Sequence, residues 1–151
     1  MPAIRLRPFE ASDGPRITTW FLADQEGFEQ LMGTPIANEL GCTMAVTSLL
    51  QSEQQGQAVV RMVECDDRTI GAAILTDVVP ANRTARPHLY VAPKERRHSL
   101  AVARASEAEA RSLGVRSLFT TVSHTNTRAL ALARRMGYGL VPQALLVKEL
   151  S

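Results

Sequence analysis

One stretch, residues 86–142, constrains the fold of this chain more than any other. It reads RPHLYVAP, then KERRHSLAVARASEAEARSLG, then VRSLFTTVS, then HTNTRALALARRMGYGLVP. The first segment ends at Pro93 and predicts a short strand over His88–Val91. The second is Ala-rich from Ser99 to Leu113 and predicts a helix, with Gly114 where a C-terminal glycine cap belongs. The third predicts a strand over Val115–Val122, and the fourth a helix over Thr127–Met136 ended by Gly137. A strand, a basic turn, a helix and a second strand in that order place the turn at a helix N-terminus. Free backbone N–H groups and the helix dipole make such a turn suited to an anion.

The remainder of the chain supplies a sheet for this unit. Ile4 to Pro8 alternates apolar and basic residues and predicts a first strand. Ser12 or Asp13 can cap the helix that follows, with Pro15 in its first turn. Ile17, Trp20, Phe21, Phe28 and Leu31 fall on one helical face, with a break expected near Gly27. A second helix is expected over Glu39–Gln54. Ala58–Cys65 and Thr69–Val79 read as a hairpin turned by Asp66 to Arg68, with Gly71 marking a bulge. Leu145–Leu150 predicts a last strand. The pattern is one α/β (α+β) domain over residues 1–151, with a mixed, mostly antiparallel sheet flanked by helices.

Charge is distributed unevenly. Between Arg83 and Arg104 stand six Lys/Arg against Glu95 alone, whereas Glu10 to Asp67 holds ten acids against Arg16 and Arg61. A basic half suits phosphates, and an acidic half suits cations. Cys42 and Cys65 are isolated, with no CxxC and no clustered histidines, so no metal site is expected and a reducing cytoplasm is the default. No apolar run reaches the length of a membrane span, and MPAIRLRPFEASD does not read as a signal peptide. A nucleic-acid-binding reading of the basic stretch is disfavoured because aromatics for stacking on bases are few, at 5% of residues.

The order of elements and two motifs resemble the GCN5-related N-acetyltransferase (GNAT) family over nearly the whole chain, from IRLRPFEASD to LLVKEL. The first motif is Leu89-Tyr90-Val91-Ala92-Pro93 followed by Arg96-Arg97-His98-Ser99-Leu100-Ala101. It is similar to the family's strand ending in hydrophobic-x-Pro and then Arg/Gln-x-x-Gly-x-Gly/Ala. The second is Asn126-x-x-Ala129-x-x-Leu132 with Arg135-Met136-Gly137-Tyr138. The resemblance implies acetyl-coenzyme A as cosubstrate and transfer of an acetyl group to a primary amine: a protein N-terminus, a lysine, a polyamine or another small cation. It assigns the pantetheine arm to Leu89, Tyr90, Val91 and Asn126. The pyrophosphate falls to the turn of Arg96, Arg97, His98, Ser99, Leu100 and Ala101. The acceptor wall falls to the first helices, which carry Asp24, Glu26 and Glu29. Family members are often dimers, so the resemblance allows a homodimer.

Three positions depart from the family pattern. Ser99 stands in place of glycine, which matters only if the backbone there needs φ > 0 or a close approach. Ala133 follows Leu132 where many members carry a tyrosine that protonates the leaving thiolate, so Ser123, His124 or a water would have to serve. His88 stands where many members carry a glutamate, and a histidine is a suitable base for the acceptor amine near neutral pH. These departures keep a second expectation in view: a catalytically impaired CoA-binding regulatory protein on the same fold.

Overall fold

The computed structural model describes residues 3–141 and Lys148. The chain divides into two compact units, Met1–Thr121 and Val122–Ser151. In the first unit β1 (Ile4–Pro8), β2 (Val59–Cys65), β3 (Arg68–Val79), β4 (Thr84–Val91) and β5 (Ser117–Leu118) form one sheet in the order β1-β2-β3-β4-β5. The first four strands are antiparallel to their neighbours, and β5 is parallel to β4. A parallel pair needs a crossover, which is supplied by a 3-10 turn (Pro93–His98) running directly into α4 (Ser99–Ser112). Helices α1 (Asp13–Ala23), α2 (Gln25–Met32) and α3 (Glu39–Gln54) join β1 to β2.

Period-two alternation sorts each strand onto two faces. Val60, Met62, Ala72, Ile74 and Tyr90 pack with Ile17, Phe21, Phe28, Leu31 and Cys42 from α1–α3. Val63, Cys65, Ile70, Ala73 and Val91 pack with Val102 of α4, flanked by Ile4, Leu6 and Leu89. The sheet is therefore the middle layer between two helical layers.

The hairpin between β2 and β3 turns on Asp66 and Asp67, both at positive φ, the geometry that matches strand twist. The expected bulge is present: Val63 faces Gly71 while Glu64 faces Thr69, so Ile70 is the extra residue. Gly71 is required there, because a Cβ would overlap the Tyr90 carbonyl oxygen on β4.

Several expected boundaries move. The break in the first helical stretch falls at Asp24, not near Gly27. Asp24 leaves helical geometry (φ −149°, ψ 65°), and its carboxylate accepts from the Gly27 amide to start α2. Ser12 makes no capping hydrogen bond, and the carboxylate of Asp13 instead accepts from the Glu10 amide. Strand β4 begins at Thr84, four residues earlier than expected, after a turn with Arg83 at φ 56°. The strand expected over Val115–Val122 shrinks to Ser117–Leu118, because the chain leaves β4 after Phe119 donates to the Ala85 carbonyl. The last expected strand, Leu145–Leu150, lies outside the described residues apart from Lys148.

In the second unit, α5 (Thr127–Arg135) is started by Asn126, whose side-chain oxygen accepts from the Ala129 amide at 3.1 Å. It ends at Arg135 with Met136 as its C-cap, and Gly137 just beyond holds φ 86°.

Candidate active site

The site in the first unit is built on β4 and the turn that follows it. On one side β4 is paired with β3 along its length, from Thr84 to Val91. On the other side, β5 pairs only with Thr84 and Ala85. From Arg86 to Val91 that edge has no strand partner among the described residues. It therefore presents alternate backbone N–H and C=O groups to an extended ligand, the geometry of strand addition. Leu89, Tyr90 and Val91, the residues expected to hold an extended arm, lie on this edge.

The turn follows at once. Ala92 donates to the Ile70 carbonyl at 2.8 Å, and the Glu95 amide closes back on Ala92. Ser99 has φ −55° and ψ −41°, ordinary right-handed helical values, so nothing in its backbone demands glycine. Its amide bonds the Arg96 carbonyl, which winds the turn as a 3-10 helix instead of leaving that N–H free. Leu100 and Ala101 occupy the first turn of α4, with the buried Val102 anchoring it to the sheet.

The side chains of Arg96, Arg97 and His98 are already engaged. Arg96 donates to Asp24 Oδ2 at 2.7 Å. Arg97 bonds the Lys94 carbonyl and lies 3.4 Å from Glu95. His98 turns inward, with Nε2 3.6 Å from Glu95 and 4.0 Å from Cys65 Sγ. Glu95 is also bonded by Arg68, which holds its carboxyl below the usual range. Burial raises the Cys65 thiol pKa, so the cysteine beside the turn stays protonated near neutral pH.

His88 and Tyr90 share the face of β4 that meets α1 and α2, as the strand period requires. Tyr90 is 3% exposed and packs against the rings of Trp20 and Phe28, with centroids 5.5 and 5.8 Å away. Its hydroxyl donates to Asp24 Oδ2 at 3.3 Å. Burial, then the Asp24 charge, push the phenol pKa far up, so Tyr90 is a permanent hydrogen-bond donor. His88 Nε2 lies 2.8 Å from Thr76 Oγ1, and the ring also bonds the Leu31 backbone. Burial, then the Arg86 charge, lower its pKa, so His88 is neutral at pH 7.

Of Asp24, Glu26 and Glu29, Asp24 alone reaches the turn. Glu29 is bonded by Gln25 and the Ile36 amide, and Glu26 is exposed. The Asp24–Tyr90–Arg96 cluster was missed by sequence reasoning, because Asp24 reads in sequence as part of a continuous helix. In the second unit, Ser123 is exposed, its hydroxyl 2.8 Å from Thr125 Oγ1, while Ala133 lies in the last turn of α5. A cleft of about 560 Å³ lined by Arg83, Thr84, Arg111, Leu113 and Arg116 lies at the start of β4, the opposite end from the turn. Among the described residues no cluster of His, Cys, Asp and Glu could hold a metal ion, and no helix is long and apolar enough to cross a membrane.

No curated protein matches the chain in sequence. Solved structures do match in fold. A spermidine N-acetyltransferase from Vibrio cholerae, in complex with CoA and spermine, superposes with a TM-score of 0.77 at 17% identity, covering 97% of this chain and 85% of its own. An acetyltransferase from Salmonella typhimurium that modifies the N-terminal serine of ribosomal protein L7/L12 gives 0.73 at 18% identity, covering 96% and 87%. RimJ from Mycobacterium smegmatis, in complex with CoA-disulfide, gives 0.71 at 19% identity, covering 89% and 69%. The family model for the acetyltransferase (GNAT) family matches residues 16–138, which include the open edge of β4, the turn and α5. The chain belongs to the GNAT acetyltransferase family.

Proposed function

We propose that this protein transfers an acetyl group from acetyl-CoA to a primary amine. The observation that carries the reading is the edge of β4 from Arg86 to Val91, which has no strand partner among the described residues, running straight into a basic turn at the start of α4. The residues present fit the cofactor. Leu89 to Val91 offer backbone groups to an amide-bearing arm, and Arg96 and Arg97 offer planar forks to phosphate oxygens. Ser99 has ordinary helical φ and ψ, which is compatible with a turn at a helix start. The acetyl thioester supplies an activated carbonyl carbon; the amine attacks it, and the C–S bond gives way to a C–N bond.

The chain's own groups have two protons to manage. We assign the amine proton to His88, which is neutral at pH 7 and stands two residues from Tyr90 on the same strand face. The proton for the departing sulfur is assigned to the Ser123 hydroxyl, since Ala133 has none to give. Asn126 would bond the pantetheine arm while still capping α5. The acidic first helices favour a cationic acceptor: a polyamine, a lysine or a protein N-terminus. The alternative, a CoA-binding protein without catalysis, is favoured by Ala133 alone.

Turnover of acetyl-CoA, read as free thiol, with spermidine, lysine peptides and N-terminal peptides as acceptors tests the reading. Thiol release that depends on one amine class supports it. Tight CoA binding with no turnover across the panel would favour the non-catalytic alternative.

A further inference from the structure

We infer that Arg96 and Asp24 form an exchangeable latch through which the cofactor exposes the counter-ion for the acceptor's ammonium group. The inference rests on the proposed acetyl transfer. Arg96 belongs to the cofactor turn, yet its guanidinium is held 2.7 Å from Asp24 Oδ2, at the break between α1 and α2. One arginine cannot give its full fork to a carboxylate and to a pyrophosphate placed on the turn. The pyrophosphate carries more charge and more acceptor oxygens, so it draws Arg96 away. The side chains of Arg96 and Asp24 are 29% and 18% exposed, so the arginine borders solvent and the carboxylate is not freely hydrated.

Asp24 does not follow. Its Oδ1 accepts from the Gly27 amide, and its Oδ2 accepts from Tyr90, itself clamped by Trp20 and Phe28. Release of Arg96 therefore leaves a fixed, partly buried carboxylate that lacks its cation. A carboxylate in that state favours a replacement cation. An ammonium group is the one an amine-acetylating site admits. Glu29 cannot take this role without giving up the Ile36 amide. Asp24 is thus a specificity-determining residue, masked until the cofactor is bound. By linkage, cofactor and cationic acceptor must then tighten each other's binding by the same factor.

Calorimetry on the full chain tests this with CoA as the first probe and spermidine as a cationic second. Asp24→Asn keeps an oxygen to cap α2 and removes the charge; Asp24→Ser, another good capping residue, is the second variant. Both should bind CoA about fivefold tighter or more than the native protein, the lower end of coupling between sites, because Arg96 is no longer held back. In the native protein, CoA should tighten spermidine binding by a similar factor, and that gain should vanish in Asp24→Asn. CoA affinity unchanged or weakened in both variants would overturn the latch. So would a native protein without coupling, or coupling of equal size in Asp24→Asn. Failure of CoA to bind any of the three proteins would instead overturn the proposed function on which the latch rests.

Discussion

Asp13 is the one fully buried charged residue among the described residues, and its removal should be among the most damaging single changes outside the apolar core. Its side chain is 0% exposed. Arg7 grips it with two parallel hydrogen bonds, both 2.8 Å, Arg16 adds one at 2.6 Å, and the Glu10 amide adds one at 2.8 Å. Arg7 also bonds Glu64 on β2 and Thr69 on β3, so the cluster pins the start of α1 to three strands. Asp13→Ala leaves Arg7, only 14% exposed, with Glu64 and the more distant, largely exposed Glu10 at 4.0 Å as its remaining carboxylates. Breaking a buried ion pair by deleting one partner costs about 3–5 kcal/mol. For a chain of this size that corresponds to a fall in Tm on the order of 10 °C. Urea denaturation and calorimetry of Asp13→Ala, Arg7→Met and the double variant measure it. The double variant should cost well under the sum of the singles, because the orphaned charge is gone. Arg7 holds the Asp13 carboxyl below its usual range, so its contribution is present above pH 3.8 and is lost as pH falls below that value. A single-variant cost below about 1 kcal/mol, the range of a surface pair, or strict additivity, would refute the reasoning.

Gly71→Ala should destabilise by about 1–3 kcal/mol and weaken acetyl-CoA binding as well, since the new methyl pushes on the Tyr90 carbonyl and shifts β4; denaturation and calorimetry read the two effects. Ser99→Gly should leave acetyl-CoA affinity unchanged and cost about 0.5 kcal/mol of helix propensity, because Ser99 already has helical φ and ψ. A gain in affinity would show that the turn needs a glycine after all. His88→Gln should cut acetyl transfer about 100-fold with little change in acetyl-CoA affinity. The same variant should abolish the acidic limb of the pH–rate profile, which in the native protein lies below pH 6.5 because burial lowers the His88 pKa. An unaltered limb would return His88 to packing between Thr76 and Leu31.

The elements carried by strong periodicity were legible in the sequence. Residues Glu39–Gln54 are helical at the expected bounds, and α4 and α5 each end within one residue of expectation. The basic turn and the bulge at Gly71 were legible for a local reason: proline, glycine and charge mark them. What was not legible depends on tertiary partners. The length of β5 is set by where the chain diverges from β4, which no residue between Val115 and Val122 announces. The break at Asp24 looks like a helix interior until its carboxylate is seen to serve Gly27, Tyr90 and Arg96 at once. The same holds for the turn's arginines, whose composition suggests free charge but whose neighbours, Asp24 and Glu95, are distant in sequence or compete locally.

The central claim is that the open edge of β4 and the turn after it receive acetyl-CoA. Amide hydrogen exchange of the protein with and without acetyl-CoA tests it most directly. The account predicts slowed exchange in residues 89–91 and 96–101, with little change around Arg83, Arg111 and Arg116 at the far cleft. Exchange unchanged along β4 and the turn at saturating acetyl-CoA, or protection confined to that cleft, would contradict it.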